Sequence, residues 1–359
     1  MSTPASSEYR NLTAVLFQRA AGVGTPMGGT FELTSRCNLA CRMCYIRHDA
    51  ADATARAGEL SVLQWLALAE EATAAGLLFL LLTGGEIFLR PDFLEIYMPL
   101  TGMGLNLILY SNGTLVTPAL ARTLGTRPPS RMEVTLYGAT PETYATVTGH
   151  ADGFARALRG IDLLCEAGMT VAVKFTITRD NVHEYDAIRE IAHARGLPVK
   201  AGWLLTARAD GAPGNASQCR LSSAEVVALE GADAEARERW ATMDPAEAAA
   251  ACAEPMYCLA GKATFVINPH GAMNPCVDLP LPAALPLEVG FPAAWEAVRS
   301  FVRTVPATPE CVACDLRAYC PTCPARAYVE TRTFTGVDTY ACAIARARAA
   351  RLADMQRPG

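Results

Sequence analysis

The sequence has no excess of basic residues, because 31 lysines and arginines stand against 36 acidic residues and leave a net charge of −5. A surface with this balance does not attract nucleic acid or anionic lipid through its overall charge. The amino terminus has no basic segment followed by an apolar run, so no signal peptide is predicted. No run of about 18 uncharged apolar residues is present, which argues against a membrane-spanning helix. We therefore expect a cytoplasmic protein without nucleic-acid or membrane partners.

Disulfide bonds are also unexpected, because thiols are kept reduced in the cytoplasm. The 359-residue chain nevertheless contains 13 cysteines. Metal or iron–sulfur ligation is the natural role for so many reduced thiols. The hydrophobic fraction of 51% is sufficient for one large core, or for a large domain and a smaller one.

Strand-like and helix-like segments alternate between about residues 29 and 205. Apolar runs such as LLFLLL (77–82) are typical of strands in a parallel sheet that is buried on both faces. Helix starts lie between them, as in the capping box of Ser61 and Gln64. Six strands separated by helices predict an α/β fold whose parallel (β/α)6 sheet curls into a partial, TIM-like barrel. Ligands of such sheets bind at the carboxyl ends of the strands.

The composition changes after about Gly231, where long apolar runs end and proline and cysteine become more frequent. Eight of the 13 cysteines lie within residues 252–342. We therefore predict an amino-terminal extension over residues 1–29 and the barrel over residues 30–230. A small cysteine-rich iron–sulfur domain is predicted over residues 231–359.

A loop with three closely spaced cysteines, CNLACRMCY (37–45), follows the first predicted strand. The cysteines are Cys37, Cys41 and Cys44, and no fourth cysteine has a suitable local spacing. A structural zinc site usually has four protein ligands, and the nearby His48 is a weak candidate for the fourth. Three thiolates on a 4Fe–4S cluster leave one iron open, and a substrate or cofactor can bind to that iron.

This loop resembles the cluster-binding loop of the radical S-adenosylmethionine (SAM) superfamily, including the aromatic Tyr45 after the third cysteine. A second similarity is Gly84-Gly85-Glu86, which follows the second strand as the GGE motif of that superfamily does. The resemblance covers about residues 30–205, and it implies that this turn binds the amino group of SAM. Glycines permit a close backbone approach, and Glu86 offers a carboxylate to an ammonium group.

Four further residues are candidate SAM contacts. Thr135 stands where the superfamily often has a serine that touches the ribose, and Arg156 resembles an arginine that holds the SAM carboxylate in related maturases. Asn112 and Lys174 lie on or at the end of neighbouring strands and are predicted to face the same side. Each of the four is equally compatible with a turn or rim residue.

The late cysteines form a second pattern. Two Cys-x2-Cys pairs lie in Cys311–Cys323, and on spacing alone they also suit a zinc ribbon with four thiolates. The residues between Cys258 and Cys276 predict a β-hairpin that turns at Asn-Pro-His-Gly. The complete set resembles the SPASM extension of radical SAM enzymes, which carries two auxiliary 4Fe–4S clusters. One departure is that two residues, where the family usually has three, separate the last two cysteines of the central run.

The resemblance implies an interleaved assignment of ligands. Auxiliary cluster I would use Cys252, Cys258, Cys276 and Cys323. Auxiliary cluster II would use Cys311, Cys314, Cys320 and Cys342. Cys252 is the least secure of these ligands, and without it cluster I has an open iron that can bind substrate. Of the two spare cysteines, Cys165 is expected in a helix core, and Cys219 is either incidental or close to a cluster.

The resemblance implies a radical SAM oxidoreductase with three 4Fe–4S clusters. The cluster of Cys37, Cys41 and Cys44 would reduce SAM, and the resulting 5′-deoxyadenosyl radical would abstract hydrogen from a substrate C–H bond. An electron donor such as flavodoxin or ferredoxin would supply the electron. Auxiliary clusters suggest that a further electron leaves afterwards, as in a crosslink or a dehydrogenation. Asp278 is a candidate base, because some relatives use an aspartate that follows the third SPASM cysteine, although here it is shifted by one residue.

Most SPASM enzymes act on peptides or proteins, so the resemblance favours the maturation of a ribosomally made peptide. The roughly thirty residues before the first strand are too few for a leader-binding domain, and leader recognition is then expected to need a separate protein or to be absent. The alternative is dehydrogenation, epimerisation or deoxygenation of a small molecule such as a sugar or an aminoglycoside-like alcohol. A pure electron-transfer protein is disfavoured, because it would need neither the three-cysteine cluster nor the GGE turn.

Overall fold

The computed structural model describes residues 4–208, 211, 216–233, 237–238 and 256–356. Its helices are α1 Pro4–Val23, α2 Ala53–Ala57, α3 Val62–Ala74, α4 Phe93–Leu100, α5 Pro118–Thr126, α6 Pro141–Thr148, α7 Gly153–Glu166, α8 Tyr185–His193, α9 Ala216–Cys219, α10 Ser223–Ala232, α11 Pro286–Val289, α12 Phe291–Thr304, α13 Pro309–Val312, α14 Pro324–Thr331 and α15 Thr339–Gln356. Short 3-10 helices are Ile87–Leu89, Val182–Glu184 and Arg317–Tyr319. In these described ranges, no helix combines the length and hydrophobicity needed to cross a membrane.

One eight-stranded sheet organises the fold. The strands are β1 Gly28–Glu32, β2 Arg36–Cys37, β3 His48–Asp49, β4 Phe79–Thr83, β5 Asn106–Ser111, β6 Arg131–Thr135, β7 Val171–Thr176, β8 Val199–Gly202, β9 Thr264–Ile267 and β10 Met273–Asn274. The order in the sheet is β10-β9-β1-β4-β5-β6-β7-β8, and only β10 is antiparallel to its neighbour. The short β2 and β3 pair separately. The predicted α/β fold with six parallel barrel strands is therefore confirmed.

Successive residues of the barrel strands face two different environments. Leu80 and Leu82 of β4 and Leu109 of β5 are fully buried in the main core. The intervening Leu81 and Tyr110 are partly exposed and line a cavity inside the barrel. Because side chains alternate along a strand, one face of the sheet packs against the helices and the other remains available for ligands.

Two local predictions are confirmed. The capping box of α3 is present, since Gln64 N donates to Ser61 Oγ and Ser61 N donates to Gln64 Oε1 at 2.9 Å. The predicted hairpin is formed by β9 and β10, with Met273 opposite Ile267. Its turn ends at Gly271, which has a φ of +86° that suits glycine.

The hairpin connects the cysteine-rich segment to the barrel. It lies within residues 231–359, yet β9 pairs in parallel with β1 and places Thr264 opposite Gly28. Trp295 of α12 also donates its indole N–H to the carbonyl oxygen of Gly24 at 2.7 Å. Residues 239–255, which follow the predicted domain boundary, lie outside the described residues. The segment after them is built directly onto the edge of the barrel sheet.

The amino-terminal extension contains a helix that the sequence analysis did not specify. Phe17 of α1 packs against Phe79 of β4, with ring centroids 5.4 Å apart. Ala20 and Met27 are buried together in a small cluster beside these rings. The extension therefore covers the edge of the barrel at the amino ends of β1 and β4.

The contact between α3 and the sheet allows a stability test. Trp65 is fully buried, and its ring centroid lies 4.9 Å from that of Phe31. Trp65→Ala leaves a cavity in the main core, so we expect the free energy of unfolding to fall by about 3–5 kcal/mol. Leu63→Ala is the matched control on the same helix, because Leu63 is 79% exposed and its loss should cost less than about 0.5 kcal/mol. Urea denaturation followed by circular dichroism measures both, and equal effects would contradict this packing.

Candidate functional site

A cavity of about 440 Å³ opens at the carboxyl ends of the barrel strands. Nine of the predicted catalytic and SAM-binding residues line it, namely Cys37, Cys41, Cys44, Tyr45, Gly84, Gly85, Asn112, Thr135 and Lys174. The remaining three, Glu86, Arg156 and Asp278, are not part of the lining. The fold thus brings together residues that are up to 137 positions apart in the sequence.

The three thiols of the cysteine loop (37–45) lie at the rim of this cavity. Cys44 N donates to Cys41 O at 3.2 Å, which folds the loop into a turn. Burial raises the pKa of Cys37 to about 12, and it also raises the pKa values of Cys41 and Cys44. Thiols in such surroundings stay protonated unless nearby positive charge compensates the thiolates. The irons of a cluster would provide that charge, so this donor set fits a three-thiolate iron–sulfur site.

Two polar side chains contact these thiols. Asn112 Nδ2 donates to Cys37 Sγ at 3.7 Å, and Tyr137 packs with Cys41 against one apolar cluster, where its hydroxyl lowers the pKa of the Cys41 thiol. Donors around the sulfurs stabilise negative charge on a bound cluster and tune its potential. Sequence reasoning missed Tyr137. Its separation of two residues from Thr135 was the available signal, because residues i and i+2 of an extended segment point to the same side.

The two glycines of the GGE turn bring the end of β4 against the cysteine loop. Gly85 N donates to Thr34 O at 2.6 Å, and Glu86 N donates to Arg36 O at 2.9 Å. A Cβ on Gly84 would lie 2.2 Å from Thr34 O, and one on Gly85 would lie 2.2 Å from Arg36 O. Gly84 also has a φ of +137°. Both glycines are therefore required for this contact between the two loops, in addition to any close approach of SAM.

The side chain of Glu86 is not part of the cavity lining. It is fully buried and accepts hydrogen bonds from Ser111 Oγ at 2.8 Å, Asn112 N at 2.7 Å and Phe88 N at 3.1 Å. Burial raises the pKa of Glu86 to about 7, although these three donors lower it. The predicted contact between this carboxylate and the ammonium of SAM does not match the geometry, because the oxygens already hold the end of β5 to the GGE turn.

Arg156 and Lys174 occupy different places although both were predicted to contact SAM. Arg156 is exposed on α7, and its Nε donates to Thr114 O at 3.1 Å, so it holds the loop after β5 rather than lining the cavity. Lys174 lies opposite Thr135 in the β6–β7 pair. Its Nζ is 3.7 Å from the centroid of the Tyr110 ring, and burial lowers its pKa.

A buried ionic group supports the base of the cysteine loop. Arg36, which precedes Cys37, donates from Nε to Glu59 Oε1 at 2.7 Å and from a terminal nitrogen to Glu59 Oε2 at 3.0 Å. The two side chains are only 6% and 7% exposed. Arg90 lies 3.7 Å from the same carboxylate and donates to Leu33 O at 2.9 Å. Charged hydrogen bonds in such a dry setting fix the direction in which the loop leaves β1.

Three other candidate side chains do not line the cavity. His48, the weak candidate for a fourth ligand, is already paired with another side chain, because its Nδ1 lies 3.0 Å from Asp52 Oδ2. Cys219 is buried in an apolar cluster with Met43, and the partly buried Cys41 packs against that cluster. Cys165 packs against the main core from α7, as its sequence context predicted.

Tyr45 connects the main cavity to a buried carboxylate. Its hydroxyl donates to Glu32 Oε1 at 2.6 Å, and both residues line a smaller cavity of about 180 Å³ together with Cys276. Burial raises the pKa of Glu32 to about 7, the bond from Tyr45 lowers it and the charge of Asp278 raises it. Asp278 in turn accepts from Thr206 Oγ1 at 2.9 Å, and Thr206 lines the main cavity. Sequence reasoning missed Glu32, although an acidic residue in the otherwise uncharged strand GGTFE could have indicated a functional side chain.

The first group of late cysteines lies beside this smaller cavity. Burial raises the pKa of Cys276 to about 12, and the nearby thiols of Cys323 and Cys258 raise it further. The pKa of Cys323 is likewise raised by burial and, to a lesser extent, by the charge of Cys258. These three cysteines belong to the predicted auxiliary cluster I. Cys252, the fourth predicted ligand, lies outside the described residues.

The thiols of a second set of late cysteines lie near one another, namely Cys311, Cys314, Cys320 and Cys342. Burial raises the pKa of Cys320 to about 11, with contributions from Cys342 and Cys311. Burial raises the pKa of Cys342, and the nearby thiols of Cys311 and Cys314 raise it further. These are the residues of the predicted auxiliary cluster II, and their assignment to that cluster stays a prediction. In the part of the chain that is described, no three potential ligands converge closely enough to hold a single ion, whereas a four-iron core spreads its ligands more widely.

One ion pair connects the cysteine-rich segment to the main cavity. Glu330 of α14, a helix that begins immediately after Cys323, accepts from Arg220 at 3.1 Å and from Ala207 N at 3.0 Å. Arg220 is buried and also donates to Leu205 O at 2.9 Å. Leu205 lines the cavity. The position of Cys323 and the shape of the cavity are therefore coupled through a single short helix.

Comparisons with known proteins agree with this architecture. A family model described as the radical SAM superfamily matches residues 31–194. An AdoMet-dependent heme synthase of Methanosarcina barkeri is 28% identical over 348 residues, which cover 86% of this chain and 94% of that protein. The mycofactocin maturase MftC of Mycobacterium ulcerans is 29% identical over 287 residues, which cover 77% of this chain and 76% of that protein.

A solved structure shows the same fold at low sequence identity. Streptococcus suis SuiB bound to S-adenosylmethionine superimposes with a TM-score of 0.68 and 14% identity, covering 89% of this chain and 77% of SuiB. SuiB has also been solved with its precursor peptide SuiA. At this identity the likeness is one of fold.

The contact between the GGE turn and the cysteine loop can be tested by adding a single methyl group. Gly85→Ala places a Cβ against Arg36 O, so we expect the free energy of unfolding to fall by about 1–3 kcal/mol. Gly22→Ala is the matched control, because a Cβ at this exposed position of α1 meets nothing within 4 Å. That variant should be unchanged or more stable by up to about 1 kcal/mol. Urea denaturation compares the two, and a Gly85→Ala protein as stable as the Gly22→Ala protein would contradict the described contact.

The raised pKa of Glu32 predicts a pH-dependent stability. Because this pKa lies near 7 in the folded protein and near 4.5 otherwise, the folded state retains a proton that the unfolded chain releases. The free energy of unfolding should therefore decrease by about 3 kcal/mol through this group as the pH rises across that interval. Glu32→Gln should lose this part of the decrease, whereas Glu70→Gln, an exposed control on α3, should keep it. Denaturant titrations at both ends of the interval measure the difference, and identical slopes in all three proteins would refute it.

Proposed function

The chain belongs to the radical SAM superfamily through residues 31–194, and from this premise we propose that it is an oxidoreductase that modifies a ribosomally made peptide. The observation that carries the proposal is the convergence of Cys37, Cys41 and Cys44 with the Gly84-Gly85 turn on one cavity. Three thiolates leave one iron of a 4Fe–4S cluster open for SAM. Bound SAM and its cluster would supply a 5′-deoxyadenosyl radical, which abstracts hydrogen from a substrate C–H bond.

The residues of the cavity have separate tasks in this proposal. Asn112 donates to the sulfur of Cys37, the Tyr137 hydroxyl lowers the pKa of the Cys41 thiol, and both stabilise negative charge on these sulfurs. Apolar side chains make up much of the remaining lining and exclude water from the reacting atoms, among them Leu39, Leu81, Leu204 and Val277. Thr135 is retained as a contact for the SAM ribose, and the backbone of the GGE turn as a contact for its amino group.

The late cysteines support two auxiliary clusters, one at Cys258, Cys276 and Cys323 and one at Cys311, Cys314, Cys320 and Cys342. Cys276 and Tyr45 line the same small cavity, and Tyr45 also lines the main cavity. An electron that leaves the substrate would therefore have a short route to the first cluster. Asp278 is the proposed proton acceptor, since its partner Thr206 lines the main cavity. A net two-electron oxidation, such as a crosslink or dehydrogenation, fits this arrangement.

A peptide is the first proposed substrate class, because MftC is named a maturase and SuiB binds a precursor peptide. Leader recognition by a separate protein and reduction by a flavodoxin or ferredoxin in the cytoplasm belong to the same proposal. A small-molecule substrate is the second candidate. It is favoured by the heme synthase of Methanosarcina barkeri, which aligns with 94% of its length, and a heme precursor is then the compound to try.

Iron content and SAM cleavage test the proposal. Anaerobic reconstitution should load about twelve Fe per chain, four for each of three clusters. Cys37→Ala should load about eight and should release no 5′-deoxyadenosine, because it removes a ligand of the cluster that reduces SAM. Cys320→Ala combined with Cys342→Ala leaves only two thiolates for the second auxiliary cluster, so this double variant should also load about eight but should retain SAM cleavage without peptide oxidation. Cys165→Ala, which changes a cysteine of the α7 core, is the control and should match the wild type in both measurements.

Two outcomes would contradict these assignments. A wild-type iron content near four would remove the auxiliary clusters from the proposal. An absence of 5′-deoxyadenosine from the reduced wild type would overturn the radical SAM reaction itself. Mass spectrometry of peptides encoded beside the gene, with heme precursors in parallel, then separates the two substrate classes by which of them loses hydrogen.

A further inference from the structure

A lysine inside the barrel lacks an anionic partner. Lys174 of β7 lines the main cavity, and its Nζ lies over the Tyr110 ring at 3.7 Å from the centroid. A lysine ammonium has three N–H donors. The described residues offer Nζ no hydrogen-bond acceptor and no ion pair within reach. The ring face attracts the charge, but it leaves the donors without the oxygen acceptors that they would have in water.

The nearest buried carboxylate is already shared by two other cations. Glu133 of β6 is fully buried, and its Oε1 lies 2.8 Å from Arg131 Nε and also contacts Lys200 Nζ. Three cationic side chains therefore surround one acid in this part of the barrel. The attraction of Glu133 acts on Lys174 only at longer range, and burial outweighs it. The interior consequently carries excess positive charge around Lys174.

The cavity lining has the same imbalance. Apart from the three cysteines that would hold the cluster, the charged residues among the described lining are Arg47 and Lys174, and both are positive. Arg47 is already engaged, since its Nε donates to Leu39 O at 2.9 Å and its guanidinium lies 3.6 Å from Asp49. An anion that enters the cavity would therefore meet Lys174 as the uncommitted cation. Electrostatic complementarity of this kind selects ligands of opposite charge.

Lys174 lies on the side of the barrel away from the site expected for the amino-acid end of SAM. The GGE turn, the proposed contact for the SAM amino group, follows β4, which is three positions from β7 in the sheet. Thr135, the proposed ribose contact, lies on β6 directly opposite Lys174. A substrate bound beside the ribose would therefore meet Lys174 before the amino-acid end of SAM does.

We propose that Lys174 binds a carboxylate of the substrate and thereby selects a negatively charged substrate. A peptide carboxylate would satisfy it, whereas a neutral sugar or a cationic aminoglycoside-like alcohol would not. This inference rests on the proposed function, because it assumes that the amino-acid end of SAM lies at the GGE turn and its ribose at Thr135. The carboxylate of SAM has the same chemistry as a substrate carboxylate, so the experiment must distinguish these two sources.

Equilibrium dialysis on the anaerobically reconstituted protein tests the proposal with simple probes. Benzoate and its neutral isostere benzamide are dialysed against the enzyme at saturating SAM. The wild type should bind benzoate more tightly than benzamide by about tenfold or more, as expected for a charged hydrogen bond. Lys174→Met should lose this preference, and Lys174→Arg should retain most of it. Lys262→Met is the control, because Lys262 precedes β9 at the opposite end of the sheet and should leave the preference unchanged.

A parallel measurement identifies the source of the carboxylate. The affinities of wild type and Lys174→Met are determined for SAM and for decarboxylated SAM. Unchanged SAM affinity in Lys174→Met, together with the lost benzoate preference, supports a substrate-binding role. A tenfold weaker affinity for SAM alone would assign Lys174 to the cofactor and overturn the proposal, as would a wild type that does not prefer benzoate. Iron content and 5′-deoxyadenosine release in the same samples report separately on the proposed function.

Discussion

The close contact between the turn after β4 and the loop after β1 is the constraint on which the site depends. Two backbone hydrogen bonds join Gly85 to Thr34 and Glu86 to Arg36, and they continue the β1–β4 pairing beyond the ends of the strands. The contact is possible only because neither glycine has a Cβ. It places the cysteine loop and the GGE turn on one cavity, so the same atoms that stabilise the fold also set the geometry of the proposed SAM site.

Burial is the second organising effect, and it acts on charge in two opposite ways. It raises the pKa values of the loop thiols, which makes them poor anions until a cationic cluster is present. It also lowers the pKa of Lys174, a cation with no partner among the described residues. The cysteine loop thus suits a cationic cluster and Lys174 suits an anionic ligand, and the described part of the polypeptide provides neither. In that respect the protein part of the site is electrostatically incomplete.

Local and periodic features made the fold predictable, because they act between residues that are close in sequence. Apolar strands, the Ser61 capping box and the hairpin before Cys276 all rest on such short-range effects. The direction of the Glu86 side chain was not predictable, since it depends on donors of β5 that are about 25 residues away. Tyr137 and Glu32 were overlooked for a similar reason: their significance comes from partners on other elements.

The sequence alone determined the types and spacing of the chemistry-bearing residues: three cysteines in one loop, a glycine pair after the second barrel strand, and eight late cysteines. Only the tertiary structure decided which of them meet. It joined the GGE turn to the cysteine loop, and among the described residues it left Lys174 inside the barrel without an anionic partner. The reason is physical, because spacing constrains a chain only over a few residues. Charge balance and side-chain direction depend on everything that packs around a site.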